Sequence, residues 1–398
     1  MTVSGEVATR LCRTCDQMVP AGAFCGNCGA EADASSRVWR TLLRPSVYAT
    51  AHREPVWMPR ISSTYLPRVP GRMRKPFRTG LIGVLVAIIG FALARLNGPL
   101  GVTATLGWPL LFLIYVWQTD VFRDIPARIL AVAALLGVVL GVSWWLAAGR
   151  LLAGSYGVST GSGLMLTGVL NAGLLITAGG AVLMMMPAVL TRLMPMPMPV
   201  RESLDGFVVG SFGALWYLVA ATTTVVAPQF VEGLIEEHSV GRMLKDSITY
   251  GIVSPIVTTA AGGLVGLSLW FTPDRRPDRD PKRARRALTV CTLLGAPLYF
   301  AVWAVDALGL PRPVDIAVKL GLAMLALLLV RCAVQIALLH EVPDPTTGEP
   351  VLCVHCERVV PDLPFCSACG AAARASSRTS RRLRRRYPPI PEPSTSGR

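Results

Sequence analysis

The sequence predicts an all-α polytopic membrane protein of about eight transmembrane helices, with a small β-type module at each terminus. Three observations predict it. One cysteine motif occurs twice, once near each end. Long apolar stretches lie between the copies. The loops joining those stretches alternate between rich and poor in Lys and Arg.

Residues 8–34 hold the first copy, Cys12-x-x-Cys15, nine residues, Cys25-x-x-Cys28-Gly29. Residues 349–375 hold the second, Cys353-x-x-Cys356, nine residues, Cys366-x-x-Cys369-Gly370. Val19-Pro20 and Phe24 recur as Val360-Pro361 and Phe365, and Ala34-Ser35-Ser36-Arg37 recurs as Ala375-Ser376-Ser377-Arg378, with no gap. Two thiolates separated by two residues can bend onto one ion. Four of them at about 2.3 Å complete a tetrahedral zinc sphere and leave no open position for catalysis. Gly29 and Gly370 follow the second pairs, where the backbone often takes positive φ. Neither stretch is long enough for an apolar core. Metal must supply the folding free energy, about 10–16 kcal/mol for structural zinc in small modules. Two structural zinc ions are therefore expected in two zinc ribbons. One sits on Cys12, Cys15, Cys25 and Cys28, the other on Cys353, Cys356, Cys366 and Cys369. Disulfides would need an oxidising compartment, and a redox motif would be a single CxxC in a βαβ setting. His355 has Thr14 in its place in the other copy, so it reads as a bystander. Cys291 and Cys332 fall in apolar stretches and read as buried thiols.

Residues 35–78 read as a basic juxtamembrane linker. Within 37–78 lie ten Lys or Arg, six prolines and the aromatics Trp39, Tyr48, Trp57, Tyr65 and Phe77. This suits an irregular segment on a membrane surface, where each basic residue near anionic headgroups contributes about 1 kcal/mol. Trp and Tyr favour the same interface. The bilayer and its anionic lipids are thus expected partners. The net charge of +15 would also suit nucleic acid, but basic cytoplasmic loops and lipid contact account for it.

Residues 79–339 form the transmembrane domain. Hydrophobic residues make up 52% of the chain and charged residues 16%, with mean hydropathy +0.50. A spanning helix needs about 20 mainly apolar residues. The segments that qualify are 80–96, 100–118, 127–149, 164–187, 206–228, 247–270, 288–308 and 314–338. Only Asn97-Gly98-Pro99 separates the first two, which read as a tight hairpin or as one re-entrant unit. Runs such as 131–140 and 320–330 are apolar on all faces, unlike surface helices of soluble proteins. Cytoplasmic loops retain Lys and Arg. Arg275, Arg276, Arg279, Lys282, Arg283, Arg285 and Arg286 crowd the loop after the sixth segment; Arg123 and Arg128, then Arg192 and Arg201, follow the second and fourth. The alternate loops are poorer. Both termini are expected in the cytoplasm, whose reducing conditions suit thiolates. The excess of Arg over Lys points to a GC-rich bacterial genome, and hence to a bacterial inner membrane. The polar N-terminus reads as lacking a signal peptide. Met194-Pro195-Met196-Pro197-Met198-Pro199 cannot continue a helix and reads as an extended connector. Residues 376–398, with Arg381, Arg382, Arg384, Arg385 and Arg386 followed by Pro388, Pro389, Pro391 and Pro393, read as a disordered tail.

Part of the membrane domain carries a family resemblance. Arg201-Glu202-Ser203-Leu204-Asp205-Gly206-Phe207-Val208-Val209-Gly210 resembles the entry to a core helix of the PrsW-type glutamic intramembrane proteases. Tyr250-Gly251-Ile252-Val253-Ser254-Pro255, then Thr258-Thr259-Ala260-Ala261-Gly262-Gly263, resembles a later Gly/Thr-rich helix of that family. The resemblance spans about residues 165–270, and small residues there also serve close helix packing. The departures fall on the chemistry. Residues 178–190 contain no acid where the family carries an acidic pair and a lysine. Residues 214–220 lack its glutamate, and the Gly/Thr-rich segment lacks its histidine. A membrane hydrolase needs groups that polarise water and exchange protons. The resemblance therefore implies a catalytically silent relative.

Glu232, Glu236, Glu237 and His238, in the loop after the fifth segment, are the nearby reserve of such groups and otherwise read as a solvated acidic face. Asp315 and Lys319, four apart, read as an ion pair at the interface, and Arg331, one turn from Gln335, reads as snorkelling at the inner end. The expected function is non-catalytic interaction or regulation, with the ribbons binding a cytoplasmic protein partner or each other. The alternatives are an active PrsW-like protease and a transporter, the latter disfavoured by the lack of mid-membrane charge.

Overall fold

The structure is a computed structural model and describes residues 8–32, 43–44, 47–51, 54–69, 74–119, 121–156, 162–194, 201–231, 240–275 and 280–388. A hairpin of β1 (Thr9–Leu11) and β2 (Met18–Pro20) carries the first cysteine copy, and α1 (Ile61–Tyr65) is a short helix in the linker. The helical domain runs through α2 (Arg74–Leu93), α3 (Asn97–Gln118), α4 (Val121–Asp124), α5 (Ala127–Tyr156), α6 (Ser162–Leu193) and α7 (Ser203–Val231). It continues with α8 (Val240–Ile248), a π-helical turn (Thr249–Val253), α9 (Ser254–Trp270), α10 (Pro281–Gly295), α11 (Leu298–Ala307) and α12 (Arg312–His340). A second hairpin, β3 (Pro350–Leu352) and β4 (Val359–Pro361), leads through a 3-10 turn (Ala373–Ala375) into α13 (Arg378–Arg386).

Among the described residues, eight helical stretches are long and apolar enough to cross a membrane. They overlie the eight apolar segments of the sequence, with shifted ends. The first two are separate helices joined through Arg95, at φ 56°. They pack closely, since a Cβ on Gly107 would fall 2.8 Å from the Val84 side chain. The tight-hairpin reading fits. The sixth stretch contains the π-helical turn, and the seventh breaks at Ala296-Pro297 into α10 and α11.

Helices in lipid associate through close packing of small residues rather than through a hydrophobic driving force. α7 and α9 follow this rule at the centre of the bundle. In the most apolar 18-residue window of Ser203–Val225, 89% of residues are buried, against 17% in that of the peripheral Arg74–Leu93. Gly206 and Gly210 on α7 meet Gly266 and Gly262 on α9. A Cβ on Gly210 would lie 2.1 Å from the Gly262 carbonyl oxygen, and one on Gly262 would lie 2.4 Å from that of Gly210. α5 approaches the other side of α7 in the same manner, with Gly137 against the Gly213 carbonyl. Buried hydroxyls are bonded within this core: Ser211 Oγ donates to the Thr259 carbonyl at 3.1 Å, and Trp108 Nε1 donates to Thr259 Oγ1 at 3.1 Å.

Expectations for the linker, with the groups it covers, and for the tail are corrected here. Much of the described linker is buried, while Trp57 and Met58 stay exposed. Tyr48, Thr50, Val56, Ser63, Thr64, Tyr65 and Val69 are buried against the helix ends. Tyr65 Oη donates to the Ile256 carbonyl at 2.8 Å, and its ring meets Trp108 edge-on. Arg331 does not snorkel. It is fully buried, lies 3.8 Å from the Tyr48 ring centroid, and donates to Glu54 Oε2 at 3.2 Å and Ser63 Oγ at 2.9 Å. Gln335 accepts from the Ala49 N–H at 2.7 Å and donates to the Val47 carbonyl at 3.1 Å. Polar groups at the end of α12 are costly to bury unpaired, and the linker supplies their partners. α2 also begins at Arg74, inside the expected linker.

The second correction concerns the tail. Residues 378–386 form α13, started by Ser377, whose hydroxyl accepts from the Ser380 N–H at 3.2 Å. Arg378 and Arg381 are buried. Paired burial of these arginines outweighs the self-repulsion that a basic run implies. Pro389, Pro391 and Pro393 lie outside the described residues, as do the Ala34-Ser35-Ser36-Arg37 repeat, the prolines of the Met-Pro run, and Glu232, Glu236, Glu237 and His238.

Candidate metal centres and the ion-pair cluster beneath them

Each module is a two-stranded antiparallel hairpin whose ends carry cysteine knuckles, with Leu11 paired to Met18 in one and Leu352 to Val359 in the other. The knuckles are built alike. Asp16 N–H returns to the Cys12 carbonyl and Gly29 N–H to that of Cys25; Glu357 and Gly370 do the same for Cys353 and Cys366. Gly29 and Gly370 take φ of 68° and 73°, the left-handed region that the spacing implied.

The sulfurs converge. Cys12–Cys28 and Cys15–Cys25 are each 3.8 Å apart, as are Cys353–Cys369 and Cys356–Cys366. All four sulfurs of a group lie within 4.8 Å of one another. A tetrahedral site with bonds of about 2.3 Å has edges of about 3.8 Å, whereas a disulfide requires about 2.05 Å. Both groups therefore fit a metal ion, and all eight cysteines are free thiols. In each group one thiol is drawn far below its ordinary pKa by its neighbours: Cys25 by hydrogen bonds from Cys15 and Cys28, Cys353 by those from Cys366 and Cys369. A bound dication extends this to all four thiolates. His355 is not part of the second group. Cys291 is buried and Cys332 half-buried, as expected for packed thiols.

The two modules pack against each other about a local pseudo-two-fold. Phe24 N–H donates to the Ser367 carbonyl at 2.9 Å, and Phe365 N–H to the Gly26 carbonyl at 2.8 Å. Phe24 and Phe365 are repeat equivalents, as are Gly26 and Ser367. Such a contact is isologous, the pattern of a symmetric dimer written into one chain.

Below the C-terminal module lies a buried ion-pair cluster that nothing in the local sequence announces. Arg68 Nη2 meets Asp205 Oδ1 at 2.5 Å and Glu202 Oε2 at 3.5 Å. Arg378 binds the other oxygen of Asp205, and Arg381 binds Glu202 and, at 2.7 Å, Asp344. Arg374 bridges Glu341 and Asp344, each at 3.1 Å. The acids also cap helices. Glu341 accepts from the N–H and hydroxyl of Ser203 at 2.9 and 2.8 Å, at the start of α7. Asp124 accepts from the N–H groups of Arg378 and Thr379 at 2.6 and 3.0 Å, at the start of α13. Negative charge is favoured at both positions. Burial pushes the Glu341 carboxyl up to about 7, against the opposing pull of Arg374 and Ser203.

At the opposite ends of the helices, Asp315 and Lys319 do pair, at 3.2 Å, and both are buried, as the inner half of a quartet whose other members reach the surface. Lys319 and Lys245 both reach Asp306, at 2.7 and 2.8 Å, and Lys245 lies 3.5 Å from Asp315. The two lysines and two aspartates neutralise one another.

The fold and the two four-cysteine groups define a class: a multi-pass, membrane-type helical protein with a pair of metal-binding modules on one end. No protein-family model, curated protein or solved structure matches the chain.

Proposed function

We propose that this chain is a multi-pass protein of a bacterial inner membrane whose two zinc ribbons form a non-catalytic interaction or regulatory cap on its cytoplasmic side. The observation that carries this reading is the use made of the residues resembling a PrsW-type protease. Gly206, Gly210, Gly262 and Gly266 serve the α7–α9 crossing, and Asp205 is held by Arg68 and Arg378. Zinc is the ion suited to a closed tetrahedron of four thiolates. A cytoplasmic cap agrees with reduced cysteines and with the basic loops at the same helix ends.

The decisive experiment is a peptide-cleavage assay on the purified protein beside Glu236→Gln and His238→Ala variants. No cleavage is expected. Activity in the wild type that both variants lose would establish the protease instead. Orientation is tested separately. A cysteine at Ser155 should react with an impermeant thiol reagent in whole cells, and one at Asp278 should not. The reverse pattern would invert the cap.

A further inference from the structure

Each ribbon rests on the other's ligand loops. The Phe365 ring sits 2.7 Å from where a Cβ on Gly29 would be, and the Phe24 ring 2.8 Å from where one on Gly370 would be. Gly29 and Gly370 immediately follow the ligands Cys28 and Cys369. The carbonyls accepting the two inter-ribbon hydrogen bonds, on Gly26 and Ser367, lie within the Cys25–Cys28 and Cys366–Cys369 knuckles. The knuckle shape that brings sulfur to metal is therefore also the surface that seats the neighbouring ribbon. The C-terminal ribbon in turn continues directly into Arg374, Arg378 and Arg381, which neutralise Glu202, Asp205, Glu341 and Asp344. α13 also folds back on its own ribbon, with Arg385 meeting Asp362 at 2.8 Å and Arg384 donating to the Leu352 carbonyl at 3.0 Å. Without this segment, Arg68 is the one arginine left against Glu202 and Asp205 among the described residues.

We infer that the two metal sites act as one lock: metal in the N-terminal ribbon holds the C-terminal helix on the buried Glu202–Asp205 cluster. The inference rests on both four-cysteine groups holding metal, as proposed above. Removing metal from the first ribbon collapses the Gly26 and Gly29 surface, loosens Phe365, and frees the second ribbon together with its arginines. The acidic cluster then opens to solvent. Metal availability in the cytoplasm thereby sets whether the inner ends of α7 and α12 are covered.

The test uses the full chain purified in detergent and loaded with zinc. Chelator-driven zinc release and tryptic cleavage after Arg378 and Arg381 are followed together. Cys28→Ser empties the N-terminal site and leaves the other set of ligands intact. Release from the C-terminal site is expected to quicken by about tenfold, within the range of couplings between linked sites, with a matching rise in cleavage after Arg378 and Arg381. Phe24→Ala keeps all eight ligands and guards against a merely misfolded variant. It should still bind two ions and lose both at least about fivefold faster. Unchanged release and unchanged protection in Phe24→Ala would overturn the lock, whatever the fate of Cys28→Ser. A wild type that binds two ions and releases them independently would overturn the lock alone. A wild type that binds none would remove the metal reading with it.

Discussion

The two ribbons share ligand spacing, hairpin register and knuckle geometry, yet they are held in different ways. The C-terminal ribbon is bolted to the helical domain by buried arginines on the segment that follows it. The described part of the N-terminal ribbon meets mainly its twin, through Phe24, Gly26 and Gly29. Even the shared contact is uneven. Phe365 is only 3% exposed and carries Arg44 5.1 Å from its ring centroid, while Phe24 is half-buried. Duplication thus produced two equal metal-binding units and one anchor. A metal site fixes a module's own fold, while the residues just outside it decide what the module is fastened to.

The largest test of this difference is Arg378→Ala. It takes one of two arginines from buried Asp205 and weakens the pairing of buried Glu202, and a loss of about 3–5 kcal/mol in the unfolding of the purified protein is expected. A loss under about 1 kcal/mol would mean that the C-terminal ribbon has no special anchor. Next come the paired aromatics. Phe365→Ala should cost about 3–5 kcal/mol, and Phe24→Ala about 1–3, because a half-buried ring forfeits less contact. Equal costs would restore symmetry between the ribbons.

A pH dependence should follow the anchored side. Glu341 rises to about 7 in the folded protein from an ordinary value near 4.5. Its folded form therefore holds a proton that the unfolded chain has released. The associated stability is complete below about pH 4.5 and is lost as pH rises through about 7. Relative to Glu341→Gln, the wild type should weaken by about 1–3 kcal/mol between about pH 5 and about pH 8. A flat difference would exclude Glu341 as the titrating group. The smallest effect belongs to His355→Thr, which makes the second knuckle resemble the first. Metal content should not change, and stability should stay within about 0.5 kcal/mol. A lost ion would make His355 a ligand.

The ligands and the helices were legible because each depends on local pattern. CxxC spacing defines a knuckle within four residues, and an apolar run long enough to cross a bilayer is visible without knowing its neighbours. The linker and the tail are not legible in this way, because their composition is basic and proline-rich while their structure depends on distant partners. Nothing near Arg68 announces Glu202 and Asp205, and nothing near Arg331 announces Glu54. One signal was available. Ser377 precedes a run free of Gly and Pro, a helix start, and its hydroxyl does cap α13. The glycines of the family-like stretch were visible too, but only the crossing of α7 and α9 shows what they are for.

The inter-ribbon contact also imposes an order on biosynthesis. Phe24 and Ser367 come from opposite ends of the chain, so their hydrogen bond cannot form until the whole helical domain has been made. Closing so long a loop would carry a large entropic penalty in a free chain. Among the described residues, eight helical stretches are long and apolar enough to cross a membrane, and an even number of crossings would return the chain to the side from which it started. Until then the N-terminal ribbon has its ring and glycine surface unmated. A chain stalled or misinserted partway would keep that surface exposed, as incompletely assembled domains do. The clasp therefore doubles as a completion mark, set only when the last helix and the ribbon after it have been made.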